Sequence, residues 1–309
     1  MQILGMGNAI VDVICKVDEN FISENNLTKS NMKLIFDENE FKNLLSNLKI
    51  EKTISGGSVA NSIVGLSQLG NKVGFIGKIS EDDFGEKYEI GLKKENVKYF
   101  YQKKVETLPT GTCLILITPD SERTMCTFLG TAGKINENDV DLEAIKKSDI
   151  IFLEGYLWDE GDQKKAFDKA ISNANKVAMT LSDKFCVDRH KNDFLNLVKN
   201  DLDIIFANED EILSLIDAKS FDEVISFGKE IKKKLIITRG EKGAISICSE
   251  KISEVGINKD LKIVDLTGAG DLFAAGYLHG YLNNFSEEDC LKKGTEMASK
   301  VIQQIGARL

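Results

Sequence analysis

The 309-residue sequence predicts an α/β fold in which helices cover both faces of a mainly parallel sheet, giving three layers, with a small second β-sheet. In the second half of the chain, short apolar runs alternate with helical stretches, as they do in βαβ units. In the first half, several strand-like runs follow one another without helical stretches between them, which is typical of a separate sheet. Because no low-complexity linker interrupts the chain, which has only two prolines, we interpret residues 1–309 as one domain.

The second half is expected to supply most of the parallel sheet, beginning with the buried apolar run 149–153. The elements after it are predicted in this order: a helix at about 162–173, a strand at 176–181, a helix near 188–199, a strand at 203–206, helices that begin at Glu209 and Ser220, and strands at 235–238 and 244–248.

The first half is expected to contribute to both sheets. A helix is predicted over 57–69, ended by Gly70 as a C′ glycine, and is followed by a strand at 72–77 and a helix at 82–95. The small sheet is predicted from four strand-like runs, at 11–17, 32–36, 97–102 and 112–129. We expect this sheet to form a lid contributed by about 11–37 and 97–130.

The composition excludes several classes of protein. A net charge of −9 and a sequence pI of about 5.1 argue against a nucleic-acid partner, and no apolar run approaches the ~18 residues of a membrane span. The N-terminus lacks the features of a secretory leader, and the six scattered cysteines suit reduced thiols, so we expect a cytoplasmic protein. The two histidines lie far apart and predict no zinc site.

The strongest local motif is the segment 267–276, in which a glycine-rich head leads into an apolar helix. Small residues before a helix N-terminus leave backbone N–H groups open to an anion. Asp271 would lie in the first turn, where a carboxylate can accept the proton of a hydroxyl that attacks a phosphoryl group. The alternative is a tight turn whose acid complements the helix dipole.

Two further motifs suit a polar small molecule. In the segment 55–62, Gly56 and Gly57 would let a ligand reach the backbone and Asn61 offers both a donor and an acceptor, although an ordinary helix entry also explains the pattern. The segment 5–12 is not a dinucleotide fingerprint, because its third glycine and the following helix are missing. Asp12 therefore needs a partner or faces a cleft, where the vicinal hydroxyls of a sugar would suit it.

Two motifs suit a nucleotide. Asn208 and Glu211 follow a predicted strand, where ligands gather in open α/β sheets, and Glu211 could orient water around Mg²⁺; helix capping by Asn208 is the alternative. The segment 238–243 joins two strands as a hairpin turn or as a nucleotide-contacting loop. The sequence has neither a P-loop nor protein-kinase motifs.

The order of these motifs resembles the ribokinase-like (PfkB) carbohydrate kinase family over essentially the whole chain. The segments 6–12, 110–113 and 118–125 are most similar to the branch that contains the adenosine kinases and their bacterial relatives. The resemblance implies an α/β/α core with a β-sheet lid, and transfer of phosphate from ATP, with Mg²⁺, to the 5′-hydroxyl of a nucleoside. A free sugar such as ribose or fructose is the alternative acceptor, and a non-catalytic nucleoside- or sugar-binding protein is a third possibility.

The resemblance also assigns roles to residues. Asp271 would be the base and Arg123 would reach phosphate as the lid closes. The anion hole would be formed by Gly268, Ala269 and Gly270. The acceptor would be bound by Asn8, Asp12, Gly56, Gly57 and Asn61, with Leu34, Cys113 and Phe185 as candidates to flank its base. ATP and Mg²⁺ would lie near Asn208, Glu211, Thr238, Gly240, Gly243 and Thr267. Leu266 departs from the family pattern and puts a monovalent-cation site in doubt. The sequence leaves a monomer and a homodimer open.

Overall fold

The computed structural model describes residues 1–120, 122–158, 162–258 and 260–309. In these ranges the strands are, in chain order, β1 (Ile3–Met6), β2 (Ile10–Lys16), β3 (Met32–Ile35), β4 (Ile50–Gly56), β5 (Val73–Ile76), β6 (Lys98–Tyr99), β7 (Gly111–Ile117), β8 (Arg123–Phe128), β9 (Ile150–Glu154), β10 (Val177–Thr180), β11 (Ile204–Asn208), β12 (Lys234–Thr238), β13 (Ala244–Cys248) and β14 (Lys251–Val255). The helices are α1 (Glu19–Glu24), α2 (Glu38–Ser46), α3 (Ser58–Gln68), α4 (Asp83–Lys94), α5 (Leu142–Lys146), α6 (Asp162–Asn173), α7 (Lys184–Asn200), α8 (Glu209–Leu215), α9 (Phe221–Ile231), α10 (Ala269–Leu282) and α11 (Glu287–Val301).

The large sheet has nine strands in the order β14-β13-β12-β11-β10-β9-β1-β5-β6. Its pairings are parallel from β6 to β12, and β13 and β14 continue it as antiparallel edge strands. Strands covered on both faces read as continuous apolar runs, and every residue of β9 is buried. The carboxyl ends of neighbouring strands therefore lie along one edge, where Met6 is in register with Leu153 and Ile76.

The small sheet has five strands in the order β3-β8-β7-β2-β4. One face is buried against the core, through side chains such as Val13, Leu114 and Phe128. Alternate residues of the same strands, such as Ile14 and Ile115, are half-buried on the other face. Strand residues point to opposite faces in turn, so the sheet is packed on one side and borders a cleft on the other.

Most predicted elements are confirmed, and two parts of the first-half prediction are wrong. The run 97–102 forms the short strand β6, which pairs with β5 in the large sheet instead of joining the small one. Helices do intervene between the small-sheet strands, because α1 and α2 are started by the side-chain caps Asp18 and Asp37. The small sheet also gains β4, whose polar sequence carried no strand-like alternation. Ser121, in the predicted lid hairpin, lies outside the described residues.

Three features of the described residues concern the expectations for membrane spans, cysteines and metal sites. No helix in these ranges is long and apolar enough to cross a membrane. The six cysteines are free thiols. Within the same ranges, no group of three or more His, Cys, Asp or Glu side chains is placed to hold a metal ion.

Candidate active site

The glycine-rich loop before α10 brings Asp271 to the start of a helix. Gly268 is the N-cap residue, with φ +79°, and a Cβ there would lie 2.6 Å from the Cα of Ala307, so both the conformation and the space require glycine. At Gly270, nothing lies within 4 Å of the position that a Cβ would take. The loop is therefore open at the end of the helix where the dipole favours an anion.

Asp271 is held by the start of α3. Its Oδ1 accepts a hydrogen bond from the Ser58 hydroxyl at 2.7 Å, and its Oδ2 accepts one from the Asn61 amide nitrogen at 3.0 Å. Burial raises the pKa of Asp271 to about 6, although these two bonds and the charge of Arg308 act to lower it. The carboxylate is thus oriented and has a pKa close to neutrality, as suits a general base.

Asp12 lies on β2, on the cleft face of the small sheet. Asp12 is in register with Ile54 on β4, so Gly56 is its diagonal neighbour, and a Cβ at Gly56 would lie 2.3 Å from the Asp12 carboxylate. Burial raises the pKa of Asp12 to about 7, the charge of Arg308 lowers it, and the charge of Asp271 adds to the rise. The two carboxylates that the sequence assigned to one site are therefore close enough to influence each other.

The second glycine and Asn8 complete this wall of the site. Gly57 has φ +99°, and a Cβ there would lie 2.2 Å from the Asn8 carbonyl oxygen. The glycine pair therefore makes room for the Asp12 carboxylate and the Asn8 backbone, in addition to any ligand. The Oδ1 atom of Asn8 is buried and has no hydrogen-bond partner in the described part of the chain.

Sequence reasoning missed two residues of the site, Glu154 and Arg308. The Glu154 carboxylate, at the end of β9, accepts hydrogen bonds from the backbone N–H groups of Asn8 at 2.8 Å and Val59 at 3.0 Å. Burial raises its pKa to about 7, against these bonds. Glu154 could have been identified from the sequence, because it is a polar residue at the end of an apolar strand, as Asn208 is. The residues next to Arg308 form no motif that would have identified it.

Arg308 enters the site from the segment after α11. Its Nε donates to the Asn61 Oδ1 at 3.0 Å, and its Nη1 donates to the Ser55 hydroxyl at 3.0 Å. Asn61 therefore connects Arg308 to Asp271 through its two polar atoms.

Arg123 connects the small sheet to the loop before α10. Its guanidinium forms an ion pair with Asp265, whose Oδ2 also accepts from the Gly306 N–H at 2.8 Å. The Asp265 Oδ1 accepts from the N–H and the hydroxyl of Thr267. These bonds hold the pKa of Asp265 below its usual range despite burial. Arg123 therefore lies beside the predicted anion hole.

A cleft of about 630 Å³ lies between the small sheet and the core. Its lining includes Asp12, Asn61, Arg123, Thr267 and Arg308. Half-buried apolar side chains of the small sheet form its other wall: Ile14, Ile115, Ile117 and Met125.

The three candidates to flank the base are placed differently. Cys113 and Leu34 lie in the same cross-strand row as Asp12, on either side of Thr127, so they belong to the cleft side of the sheet. Neither is among the described residues that line the 630 Å³ cleft. Phe185 is 77% exposed in the first turn of α7 and lies outside that lining.

The predicted nucleotide residues gather at the ends of β11 and β12, where Asn208 is in register with Thr238. Asn208 and Glu211 form a capping box: the Asn208 Oδ1 accepts from the Glu211 N–H, and the Glu211 carboxylate accepts from the Asn208 N–H and side-chain amide. Burial raises the pKa of Glu211 to about 7. The capping interpretation of this motif is thus confirmed.

The turn that follows β12 needs its glycines. Gly240 and Gly243 both have positive φ, and a Cβ at Gly243 would collide with the Val255 carbonyl oxygen. Arg239 packs on the Phe221 ring and pairs with Glu209 at 2.9 Å, which fixes the turn to the start of α8. The hairpin-turn interpretation is confirmed as the local structure.

Tyr156 lies between the acceptor and nucleotide groups. Its hydroxyl donates to Asp183 at 2.9 Å. Burial raises the pKa of Tyr156, and the charges of Asp183 and Asp271 add to the rise. The charge of Asp183 also raises the pKa of Glu211. The two groups of predicted site residues are therefore neighbours along the carboxyl edge of the sheet.

Comparisons with known proteins identify the family of the chain and its fold. Residues 27–309 match the model of the pfkB family of carbohydrate kinases. The crystal structure of an adenosine kinase from Sinorhizobium meliloti is 35% identical, with a TM-score of 0.89, over 100% of this chain and 95% of that one. A probable sugar kinase from Rhizobium etli is 36% identical, with a TM-score of 0.88, over 99% and 94%. A 5-dehydro-2-deoxygluconokinase from Clostridium botulinum is 28% identical over 84% of this chain and 81% of its own length. The predicted fold class is confirmed.

Proposed function

The chain belongs to the pfkB family of carbohydrate kinases, and on that premise we propose that it phosphorylates the 5′-hydroxyl of a nucleoside, converting adenosine to AMP with ATP and Mg²⁺. It is a phosphotransferase that acts on a hydroxyl group of a small sugar or nucleoside. The observation that carries the proposal is the position of Asp271, at an open helix N-terminus and beside a polar cleft bounded by Asp12 and Asn61.

Asp271 acts as the base. The acceptor hydroxyl would donate to the carboxylate in place of Ser58 or Asn61, the two present donors. Its proton would pass to Asp271 as its oxygen bonds to the γ-phosphorus of ATP and the bond from that phosphorus to ADP breaks. Asp12 accepts hydrogen bonds from the ribose hydroxyls and holds the sugar in line. The protein thus supplies positioning and charge, which carry most of the catalysis of phosphoryl transfer.

The start of α10 fits the phosphates of ATP. The space beside Gly270 and the helix dipole together suit an anion, with Gly268, Ala269 and Gly270 as the anion hole. Bound Mg²⁺ would supply positive charge that neutralises the phosphates. Glu211 would act on the metal through water, since its two oxygens retain lone pairs beyond the two bonds of the capping box.

The small sheet acts as the lid over the acceptor. Arg123 lies on this sheet and pairs with Asp265 directly before the anion hole. We propose that Arg123 leaves Asp265 for the transferring phosphate when ATP is bound. The sheet of this lid is formed mainly by residues 10–56 and 111–128.

Adenosine is favoured as the acceptor because the adenosine kinase from Sinorhizobium meliloti matches the chain over its full length. The apolar wall formed by Ile14, Ile115, Ile117 and Met125 suits a flat base. This activity would give the protein a place in purine salvage in the cytoplasm.

A free sugar is the second candidate acceptor. The similarity to the probable sugar kinase and to the 5-dehydro-2-deoxygluconokinase favours it. The cleft lining carries more basic than acidic side chains, namely Lys52, Lys87, Lys94, Arg123 and Arg308 against Asp12 and Glu95, which would also suit an acidic sugar.

One experiment decides between these acceptors. Phosphate transfer from labelled ATP is measured on a panel of adenosine, guanosine, inosine, ribose, fructose and 5-dehydro-2-deoxygluconate. We expect the highest kcat/KM with adenosine. Turnover of a free sugar without turnover of any nucleoside would select the second candidate, and folded protein inactive on the whole panel would reject both.

A further inference from the structure

One guanidinium nitrogen of Arg308 has no hydrogen-bond partner among the described residues. Two of its guanidinium nitrogens are used, by Asn61 and Ser55. The third, Nη2, is buried and has no hydrogen-bond partner among the described residues. Leaving a buried donor unpaired costs about 1–3 kcal/mol, and more for a charged group. An unpaired donor in a ligand cleft therefore indicates that the ligand supplies its acceptor.

The position of Arg308 is set by the loop of the proposed base. The Gly306 N–H donates to Asp265, and Ala307 packs against Gly268, where no side chain would fit. The two bonds to Asn61 and Ser55 then orient the guanidinium plane. Arg308 is consequently held from both sides, unlike a surface arginine that is free to change rotamer.

The charge of Arg308 acts on both carboxylates of the site without direct pairing. It lowers the pKa of Asp12 and of Asp271. Among the described residues, however, the hydrogen bonds of its guanidinium are those to Asn61 and Ser55. A cationic donor, Arg308, and an anionic acceptor, Asp12, thus line one cleft, and the charge of the same arginine reaches Asp271 beside it.

This combination matches the chemistry of a hydroxyl group. A hydroxyl donates one hydrogen bond and accepts up to two, whereas an ionised carboxylate only accepts and a guanidinium only donates. Asp12 alone would leave the lone pairs of a sugar diol unpaired. A donor beside it would satisfy them, and Arg308 has one unused.

We propose that Arg308 is a specificity-determining residue of the acceptor site, which donates from Nη2 to a hydroxyl oxygen of the acceptor's sugar while Asp12 accepts from the same diol. The inference rests on the proposed function, because it requires a hydroxylated acceptor in this cleft. It predicts that Arg308 distinguishes a complete sugar from one that lacks a single hydroxyl.

The test combines variants with deoxy acceptors. Steady-state kinetics are measured for the wild type, Arg308→Ala, Arg308→Lys and the control Arg189→Ala, which removes an exposed arginine on α7. The acceptors are adenosine, 2′-deoxyadenosine and 3′-deoxyadenosine. We expect Arg308→Ala to lower kcat/KM for adenosine about 10- to 100-fold, mainly through KM, because a hydrogen bond to a charged group is lost.

The two deoxyadenosines show whether Arg308 recognises a sugar hydroxyl or only maintains the structure of the site. The wild type should discriminate against the deoxy acceptor that lacks the Arg308 partner, and Arg308→Ala should lose most of that discrimination. Arg308→Lys should recover part of it, added guanidinium ion should lower the KM of Arg308→Ala, and Arg189→Ala should match the wild type. Unchanged discrimination in Arg308→Ala would overturn the inference, whatever the loss of activity or stability.

Failure of the inference is distinguishable from failure of the proposed function. If the wild type phosphorylates a free sugar and no nucleoside, the nucleoside proposal fails and the same variants are tested with the deoxy forms of that sugar. If the wild type transfers phosphate to neither class, acceptor binding is measured by titration calorimetry without ATP. Equal affinity of Arg308→Ala and the wild type for every hydroxylated ligand would then reject the role of Arg308.

Discussion

The predicted site residues form two groups along the carboxyl edge of the sheet: an acceptor end around Asp271 and a nucleotide end around Glu211. Both ends place an acidic side chain at a helix start, but they differ in how completely their polar atoms are hydrogen-bonded. Each has an acid in the first turn of a helix, the half-buried Asp271 in α10 and the buried Glu211 in α8, and burial raises the pKa of both. At the nucleotide end, Asn208 caps the helix and also donates to both Glu211 oxygens. At the acceptor end, Asn8 and Arg308 each retain a buried polar atom without a partner in the described chain.

This difference shows that a polar residue next to a helix start can have a structural role or a ligand-binding role. A polar residue beside a helix start satisfies the backbone when its own neighbours complete the hydrogen bonds, as in the capping box. Where several buried donors and acceptors beside one cleft stay unpaired, as at Asn8 and Arg308, we infer that a ligand supplies the partner. We therefore expect substitutions at the acceptor end to change mainly the catalytic rate and acceptor binding. Substitutions at the nucleotide end should change mainly the stability of the fold and the Mg²⁺ concentration that activity requires.

The largest effect is expected at the acceptor end. Asp271→Asn removes the base, so kcat should fall by about 10²–10⁴, while the acceptor Kd should stay within about threefold. Rates are measured by single turnover and affinity by calorimetry, with Asp222→Asn, at an exposed position on α9, as the control. Near-normal turnover of Asp271→Asn would refute the base assignment.

A smaller effect is expected from Glu211 at the nucleotide end. Glu211→Gln removes the charge that would act on Mg²⁺ through water, and losses of this kind are typically at least about tenfold in metal affinity or activity. Titration of activity with Mg²⁺ should therefore show a half-saturating concentration raised about tenfold, whereas the exposed control Glu230→Gln should not change it. An unaltered Mg²⁺ dependence would leave Glu211 with its capping role alone.

Both ends should contribute to a pH dependence of stability. The folded-state pKa values of Asp12, Glu154 and Glu211 are raised to about 7 and that of Asp271 to about 6, from ordinary values of 3.8 or 4.5. Between about pH 4.5 and 7 the folded protein binds more protons than the unfolded chain, so stability falls as pH rises through this window.

Thermal unfolding measures this effect. We expect Tm to be at least about 3 °C lower at pH 8 than at pH 5.5. His279 opposes the trend in part, because burial lowers its pKa. Glu154→Gln and Glu211→Gln should each flatten the dependence, and a Tm that rises from pH 5.5 to pH 8 would contradict the raised pKa values.

The smallest effect concerns the capping box alone. Asn208→Ala should lower the free energy of unfolding by about 1 kcal/mol, because an N-cap side chain is lost, and should raise the KM for ATP less than about threefold. Urea denaturation and ATP titration measure the two quantities, with the exposed Asn192→Ala in α7 as the control. A large KM change without a loss of stability would show that Asn208 acts mainly on the nucleotide.

Local signals were sufficient for much of the fold. The buried strands β9 to β12 are apolar runs between helical stretches, and the predicted order of these elements is the observed one. The helix starts at Ser58 and Ala269 follow glycines that the chain geometry requires. The run 97–102 was assigned to the wrong sheet because the strand it forms has only two residues, too few for a pattern that specifies its partner. In the structure β6 pairs in parallel with β5, and the rings of Tyr99 and Phe75 stack across this pair.

The site was predictable to the extent that its residues carry their own signals. Asp12, Asn61 and Asp271 lie close to glycines or inside apolar runs. A polar side chain in such a run is costly to bury unless it has a partner, which marks it as a candidate site residue. Phe185 was assigned from the family resemblance, and the structure exposes it on α7. A resemblance in sequence does not specify towards which side a helix directs a given side chain.

The sequence by itself predicted the α/β class, from the alternation of short apolar runs with helical stretches, and the glycine-rich helix start before Asp271, whose residues lie within about one helical turn of one another. Only the tertiary structure decided that Glu154 binds Asn8, 146 positions away, and that Arg308 reaches Asn61 across 247 positions. These contacts are made by chain segments that pack together only after the sheet has formed. Their hydrogen bonds join single atoms, and no local pattern records them.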